Sequence, residues 1–100
     1  MKLNISGDTL HISEVLELGA ANCNALRDEA RAALGAAQKH IEIDLSETSF
    51  LDSCGLGALI ALHKTACSRR GELRLRNPSH AVRQVLELTR LHQIFSVTSP

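Results

Sequence analysis

Two short segments constrain the fold more than anything else in this chain. In HIEIDL, His40 to Leu45, the apolar Ile41, Ile43 and Leu45 alternate with Glu42 and Asp44. In ELRLR, Glu72 to Arg76, Leu73 and Leu75 alternate with Arg74 and Arg76. A period of two describes a strand with one buried face and one open face. A doubly wound sheet, covered on both sides, would show near-continuous apolar strands instead. Helical patterns lie between the alternating segments, so the expectation is an α/β layer with helices on one face only. If the two strands are neighbours, Glu42 and Asp44 share the open face with Arg74 and Arg76. Each cross-strand pair then stabilises the sheet by roughly 0.2–1 kcal/mol.

The remaining elements follow from the same patterning. Leu3 and Ile5, then Leu10 and Ile12, alternate with polar residues around Gly7-Asp8, which predicts a hairpin of two strands. Asn22 to Ala37 predicts a helix with Leu26, Ala30, Ala33 and Leu34 on one face and Gly35 weakening its last turn. A second helix should bury Leu56, Leu59, Ile60, His63 and Cys67, with Arg69 and Arg70 in its last turn and Gly71 as its C-cap. A third should start near Ser79 and bury Val82, Val85, Leu86 and Leu91. Ile94 to Val97 could close a last strand.

The chemistry is bounded by what the chain lacks. It has 100 residues, and 44% of them are hydrophobic, enough for a globular core and near the small end for one domain. Phe50 and Phe95 are its only aromatics, which argues against a base-stacking platform. Eleven basic and eleven acidic residues cancel, which argues against a nucleic-acid binder and makes the arginines solvated surface. Cys23, Cys54 and Cys67 are an odd number at no metal-finger spacing, so a reducing, cytoplasmic setting is expected. The N-terminus does not read as a signal peptide, and no stretch has the ~18 apolar residues of a membrane span. His63 and Cys67 lie four apart on a helix, but with no third ligand they read as packed core residues. No catalytic triad, P-loop or dinucleotide fingerprint is present, so no cofactor is expected.

One loop remains. FLDSCGLG, Phe50 to Gly57, runs from the HIEIDL strand into the second helix. Asp52 or Ser53 can cap that helix, their side-chain oxygens accepting from its first free N–H groups. Two glycines in its opening turns are each unfavourable by roughly 0.8–1 kcal/mol relative to Ala. Tight packing, an unusual backbone angle or close approach by a partner must compensate. The plain reading is a capping serine and packing glycines. The sharper reading is a modification site at Ser53, where a phosphate would bring about −1.5 to −2 of charge to a helix N-terminus beside Asp52.

The run IEIDLSETSFLDSCGLGALIALHK, followed by Gly71 and LRLRNPSHAVRQVLELTRLHQIF, resembles the STAS domain family, and within it the bacterial anti-sigma factor antagonists. The resemblance covers roughly residues 40 to 97, with a looser fit before that. It implies a single STAS domain over residues 1–100, a small mixed sheet with helices packed mainly on one face. It further implies a protein that is not an enzyme but the substrate of a serine kinase and of a phosphatase. Unphosphorylated, such a module captures an anti-sigma factor that is itself a kinase with a histidine-kinase-like ATPase fold, and phosphorylation releases it.

Ser53 matches the phosphoacceptor, and Glu17, Asp52, Cys54, Gly55, Leu56 and Gly57 match the partner-binding surface. Two departures stand out. Cys54 occupies a position that is often Ser, which leaves one hydroxyl in the loop. Cys54 then reads either as a small buried residue or as a redox-sensitive thiol. The stretch SEVLELGAAN lacks the family's Gly-x-Leu-Asp-like turn, and Glu17 is its nearest acidic candidate. Stand-alone STAS domains also serve as accessory subunits of bacterial ABC lipid transporters, docking on the ATPase, which is the alternative. A monomer is the default expectation, since the core assignment leaves no apolar surface stripe.

Overall fold

The alternating segments become the middle of a five-stranded sheet in the computed structural model, which describes residues 1–98. The elements run β1 (Lys2–Ser6), β2 (Thr9–Ser13), α1 (Cys23–Ala33), β3 (His40–Asp44), α2 (Ser53–Ser68), β4 (Leu73–Arg76), α3 (His80–Leu88), a 3-10 turn (Leu91–Gln93) and β5 (Ser96–Thr98). The strand order is β1-β2-β3-β4-β5. The β1–β2 hairpin is antiparallel, with Ser6 opposite Thr9 across Gly7-Asp8, and the other three pairings are parallel. Each parallel pairing needs a crossover, which α1, α2 and α3 supply.

One face of the sheet buries Leu10, Ile12, Ile41, Ile43, Leu73 and Leu75 against Leu26 and Ala30 of α1, Leu59, Leu62 and Ala66 of α2, and Val82 and Leu86 of α3. The other face carries the charges. Glu42 stands opposite Arg74, and Asp44 opposite Arg76. Glu42 lies 3.0 Å from the Arg76 guanidinium, 3.8 Å from that of Arg74 and 3.5 Å from His11, with its side chain only 13% exposed. The mixed sheet with helices on one face is the expected fold.

Several boundaries and faces differ from the expectation. α1 stops at Ala33, because Leu34 turns extended and the Gln38 amide takes the Gly35 N–H at 2.8 Å, a bond that replaces the next helical one. α2 buries Gly55, Ala58, Leu59, Leu62 and Ala66, a stripe rotated from the predicted one. Leu56, Ile60 and His63 are half-buried at its margin, and Cys67 is exposed. His63 instead meets Phe95 edge-on, with ring centres 5.5 Å apart. In β1, an edge strand of the sheet, Leu3 is half-buried and Ile5 exposed. Val85 and Leu91 are half-buried, and the last strand begins at Ser96.

The end of α2 also corrects the C-cap. Arg69 and Arg70 follow the helix, and Arg70, not Gly71, takes the left-handed conformation at φ 63°. The Arg70 N–H donates to the Cys67 carbonyl and the Gly71 N–H to the Ala66 carbonyl, the two bonds of a Schellman motif. Gly71 is required for another reason, since a Cβ there would drive into the Lys39 carbonyl. Arg69 is not solvated surface. Its guanidinium straps the α1–β3 connection through the Gly35 and Gln38 carbonyls at 2.6 and 2.7 Å.

Candidate functional site

The loop singled out in the sequence opens at the carboxyl ends of β2 and β3, where the N-termini of α1 and α2 lie side by side. Two segments are stitched together there. Thr48 is buried and its hydroxyl donates to the Val15 carbonyl at 2.6 Å. The Ser49 N–H donates to Leu16, the Leu18 N–H to Phe50, and the Asp52 N–H back to Leu18, at 2.9, 3.1 and 3.2 Å. This ladder fixes the phosphoacceptor candidate relative to Glu17.

Asp52, not Ser53, is the N-cap. One carboxylate oxygen accepts from the Gly55 N–H at 3.0 Å and the other from the Ala20 N–H at 3.1 Å, so a single side chain joins α2 to the lead-in of α1. The bond from Gly55, with smaller contributions from the Ala20 and Cys54 N–H groups, holds the Asp52 carboxyl below its ordinary range. It stays ionised wherever the protein is folded near neutrality.

With the cap supplied by its neighbour, Ser53 is the first residue of α2. Its side chain is exposed, and its hydroxyl has no hydrogen-bond partner among the described residues. Cys54 is exposed too, which removes its reading as a small buried residue. Nor is it an activated thiolate: the Cys23 thiol beside it pushes the Cys54 thiol up, and the Asp52 charge adds to this.

The two glycines divide. Gly55 is buried and faces inward, where a Cβ would strike the Leu18 carbonyl oxygen and come within 2.7 Å of Leu51 Cδ1. Its glycine is explained by packing inside the chain. Gly57 is exposed, and a Cβ there would meet nothing within 4 Å. Leu56 between them is half-buried. Glu17 is half-buried, with its carbonyl accepting from the Asn22 side-chain amide at 2.6 Å. The structure therefore brings Glu17, Asp52, Ser53 and Cys54 to one end of the sheet and turns Gly55 away from the surface.

Sequence reasoning missed two side chains here. Leu16 is 66% exposed and Phe50 is 43% exposed, on the two segments joined by the ladder. Neither stands in a periodic segment, so no pattern predicted its exposure. With Leu88 and Ile94 elsewhere they show that apolar surface does remain after the core is assigned. Among the described residues, no group of three or more His, Cys, Asp or Glu is placed to hold a metal, and no helix is long and apolar enough to cross a membrane.

A family model described as "Mlab, STAS domain" matches residues 1–97. Among solved structures, the anti-sigma factor antagonist SpoIIAA in its unphosphorylated form superposes with a TM-score of 0.85 at 23% identity, covering 99% of this chain and 86% of that one. The phosphorylated form of the Bacillus cell fate determinant SpoIIAA gives 0.78 at 23% identity, covering 99% and 89%. An anti-sigma factor antagonist from Mycobacterium paratuberculosis gives 0.81 at 24% identity, covering 96% and 81%. At these identities the likeness is one of fold.

Proposed function

Since the chain belongs to the STAS domain family, we propose that it acts over residues 1–100 as one phosphorylation-gated interaction module, an anti-sigma factor antagonist. In this reading it is a kinase and phosphatase substrate and not an enzyme. Unphosphorylated, it binds a serine-kinase anti-sigma factor in the cytoplasm. Phosphate on Ser53 releases that partner.

The observation that carries the reading is the exposed, unpartnered Ser53 hydroxyl beside a cap that Asp52 already completes. Had Ser53 been the cap, its hydroxyl would have been engaged by the first N–H groups of α2. As built, the hydroxyl is free for a kinase. The Gly55 and Ala20 N–H groups are occupied by Asp52, so an added phosphate cannot take them without displacing a carboxylate. The new charge stays on the surface beside an ionised Asp52, where a partner must meet it. Burying such a charge without a cation costs several kcal/mol, and 1.4 kcal/mol is already tenfold in affinity. Gly57 supports the same surface. Nothing among the described residues requires a glycine there, whereas a partner backbone approaching α2 one turn after Ser53 would.

The test is affinity capture with wild-type, Ser53→Ala and Ser53→Asp baits, followed by phosphate mapping on the wild type. A kinase-like ATPase held by Ser53→Ala and lost by Ser53→Asp supports the switch. Equal retention by both variants rejects it. A second reading keeps the surface and dispenses with the phosphate: an accessory subunit docking on the ATPase of a bacterial ABC lipid transporter. It is favoured by the matching family model, which carries the Mlab description and not an antagonist's. All three baits would then retain an ABC ATPase alike.

A further inference from the structure

The hairpin leaves one edge of the sheet open. β1 is the first strand in the order, so β2 covers one of its sides and no strand among the described residues covers the other. Sheet edges are commonly blunted by proline, a bulge or charge, because their free N–H and C=O groups invite a further strand. β1 pairs without a break from Lys2 opposite Ser13 to Ser6 opposite Thr9, holds no proline, and carries a single charge, Lys2, at its end. Ile5 is 47% exposed on this edge.

The register decides which groups the edge offers. A two-residue turn is flanked by a pair that exchanges both backbone bonds, and bonded pairs then recur at every second residue. Gly7-Asp8 makes Ser6 with Thr9, Asn4 with His11, and Lys2 with Ser13 the bonded pairs. Leu3 and Ile5 therefore aim their N–H and C=O groups outward. These two residues are complementary to themselves. About a two-fold axis at Asn4, Leu3 of one chain stands opposite Ile5 of another, and four N–H···O=C bonds close together. Leu3 and Ile5 share the helix-covered face with Ile12 and Leu10, so each new pair is an apolar contact that covers Ile5. On the open face, Lys2 falls diagonal to the half-exposed Asp8 carboxylate of the second copy, so opposite charges meet at both ends.

We propose that two copies of this chain dimerise through antiparallel β1–β1 pairing, which joins their five-stranded sheets into one. The contact closes on itself, because both copies use the same edge, and the opposite edge, β5, has only three residues. An edge of five residues buries less than the roughly 1,200 Å² of standard complexes, so the dimer is weak, with Kd at about 10–100 μM. The monomer expected from the sequence is then the dilute state. β2 separates this edge from β3 and the loop that carries Ser53, so the inference is independent of the phosphorylation reading.

The test is sedimentation equilibrium of the purified full chain from about 5 to 500 μM, where mass action sets the average mass. That mass is expected to climb from one chain toward two. Ile5→Pro removes an N–H that bonds nothing in the single chain, so it should stay folded by circular dichroism and weaken association at least about tenfold. Ile5→Lys keeps that N–H and charges the edge, and it should weaken association likewise should the proline disturb the hairpin. A cross-link reads the register. In a Cys54→Ser, Cys67→Ser background, Asn4→Cys meets its own copy at the axis in a non-bonded pair, with Cα atoms about 4.5 Å apart. Mild oxidation should then link two chains through that residue. A chain that stays single at the highest concentration, a dimer that Ile5→Lys leaves equally tight, or a dimer that Asn4→Cys does not link overturns the proposal.

Discussion

Gly55 and Gly57 lie two residues apart in the same helix, yet alanine should act on them in opposite directions. At Gly57 the new methyl enters open space, so the change removes the helix penalty of glycine, about 0.8–1 kcal/mol. For a domain of this size that raises Tm by about 3–8 °C. At Gly55 the same helix gain meets the Leu18 carbonyl and Leu51. Overpacking costs about 1–3 kcal/mol, and Leu18 cannot retreat without losing its bond from the Asp52 N–H, a further loss of about 1 kcal/mol. The net is a destabilisation of about 1–3 kcal/mol, or a Tm lower by at least about 4 °C. Thermal melts and urea titrations of both variants measure the two shifts. Shifts of the same sign would refute the reasoning that places one glycine against backbone and the other in the open. A separate readout bears on function: Gly57→Ala should bind the partner less well than wild type although it is the more stable protein.

Further outcomes follow from particular contacts. Arg70→Gly relieves a left-handed arginine in the Schellman motif and should raise stability by about 0.5–1 kcal/mol, measured by urea titration. Asp52 has a folded-state pKa below its unfolded value, so its stabilisation is complete above the unfolded pKa and is lost as pH falls through the folded one. The Tm gap between wild type and Asp52→Ala should therefore be constant near neutrality and narrow below about pH 4. Glu42→Gln weakens the pairs with Arg74 and Arg76 on the open face, and the resulting Tm loss should shrink in about 1 M salt, where the Debye length is about 3 Å.

The open-faced sheet was legible because Ile41, Ile43, Leu73 and Leu75 are large, apolar and placed at a period that only a half-covered strand explains. The phase of α2 was not. Its buried stripe is built partly from Gly55, Ala58 and Ala66, small residues that permit close packing, whereas the pattern weighted the larger Leu56 and Ile60. α1 ended early because of a side chain four residues beyond its cap. Gln38 bonds Gly35 and the Gly7 carbonyl, a contact between segments remote in sequence. At the candidate site, residue types and spacing pointed to the Asp52–Gly57 loop, but its rigidity comes from the Leu16–Leu18 segment. Such a loop-to-loop ladder leaves no periodic signal, so the exposed Leu16 and Phe50 surfaced only in three dimensions.

The central claim is that Ser53 gates a binding surface without unfolding it. Its most direct test is a calorimetric titration of the captured kinase-like ATPase with the unmodified chain and with the same chain carrying phosphoserine at position 53. The account predicts a loss of about a hundredfold or more in affinity, about 2.7 kcal/mol, with the melting behaviour and circular dichroism of the phosphorylated chain still those of a folded domain. Equal affinity for the two forms, or a phosphorylated chain that has lost its fold, would contradict it.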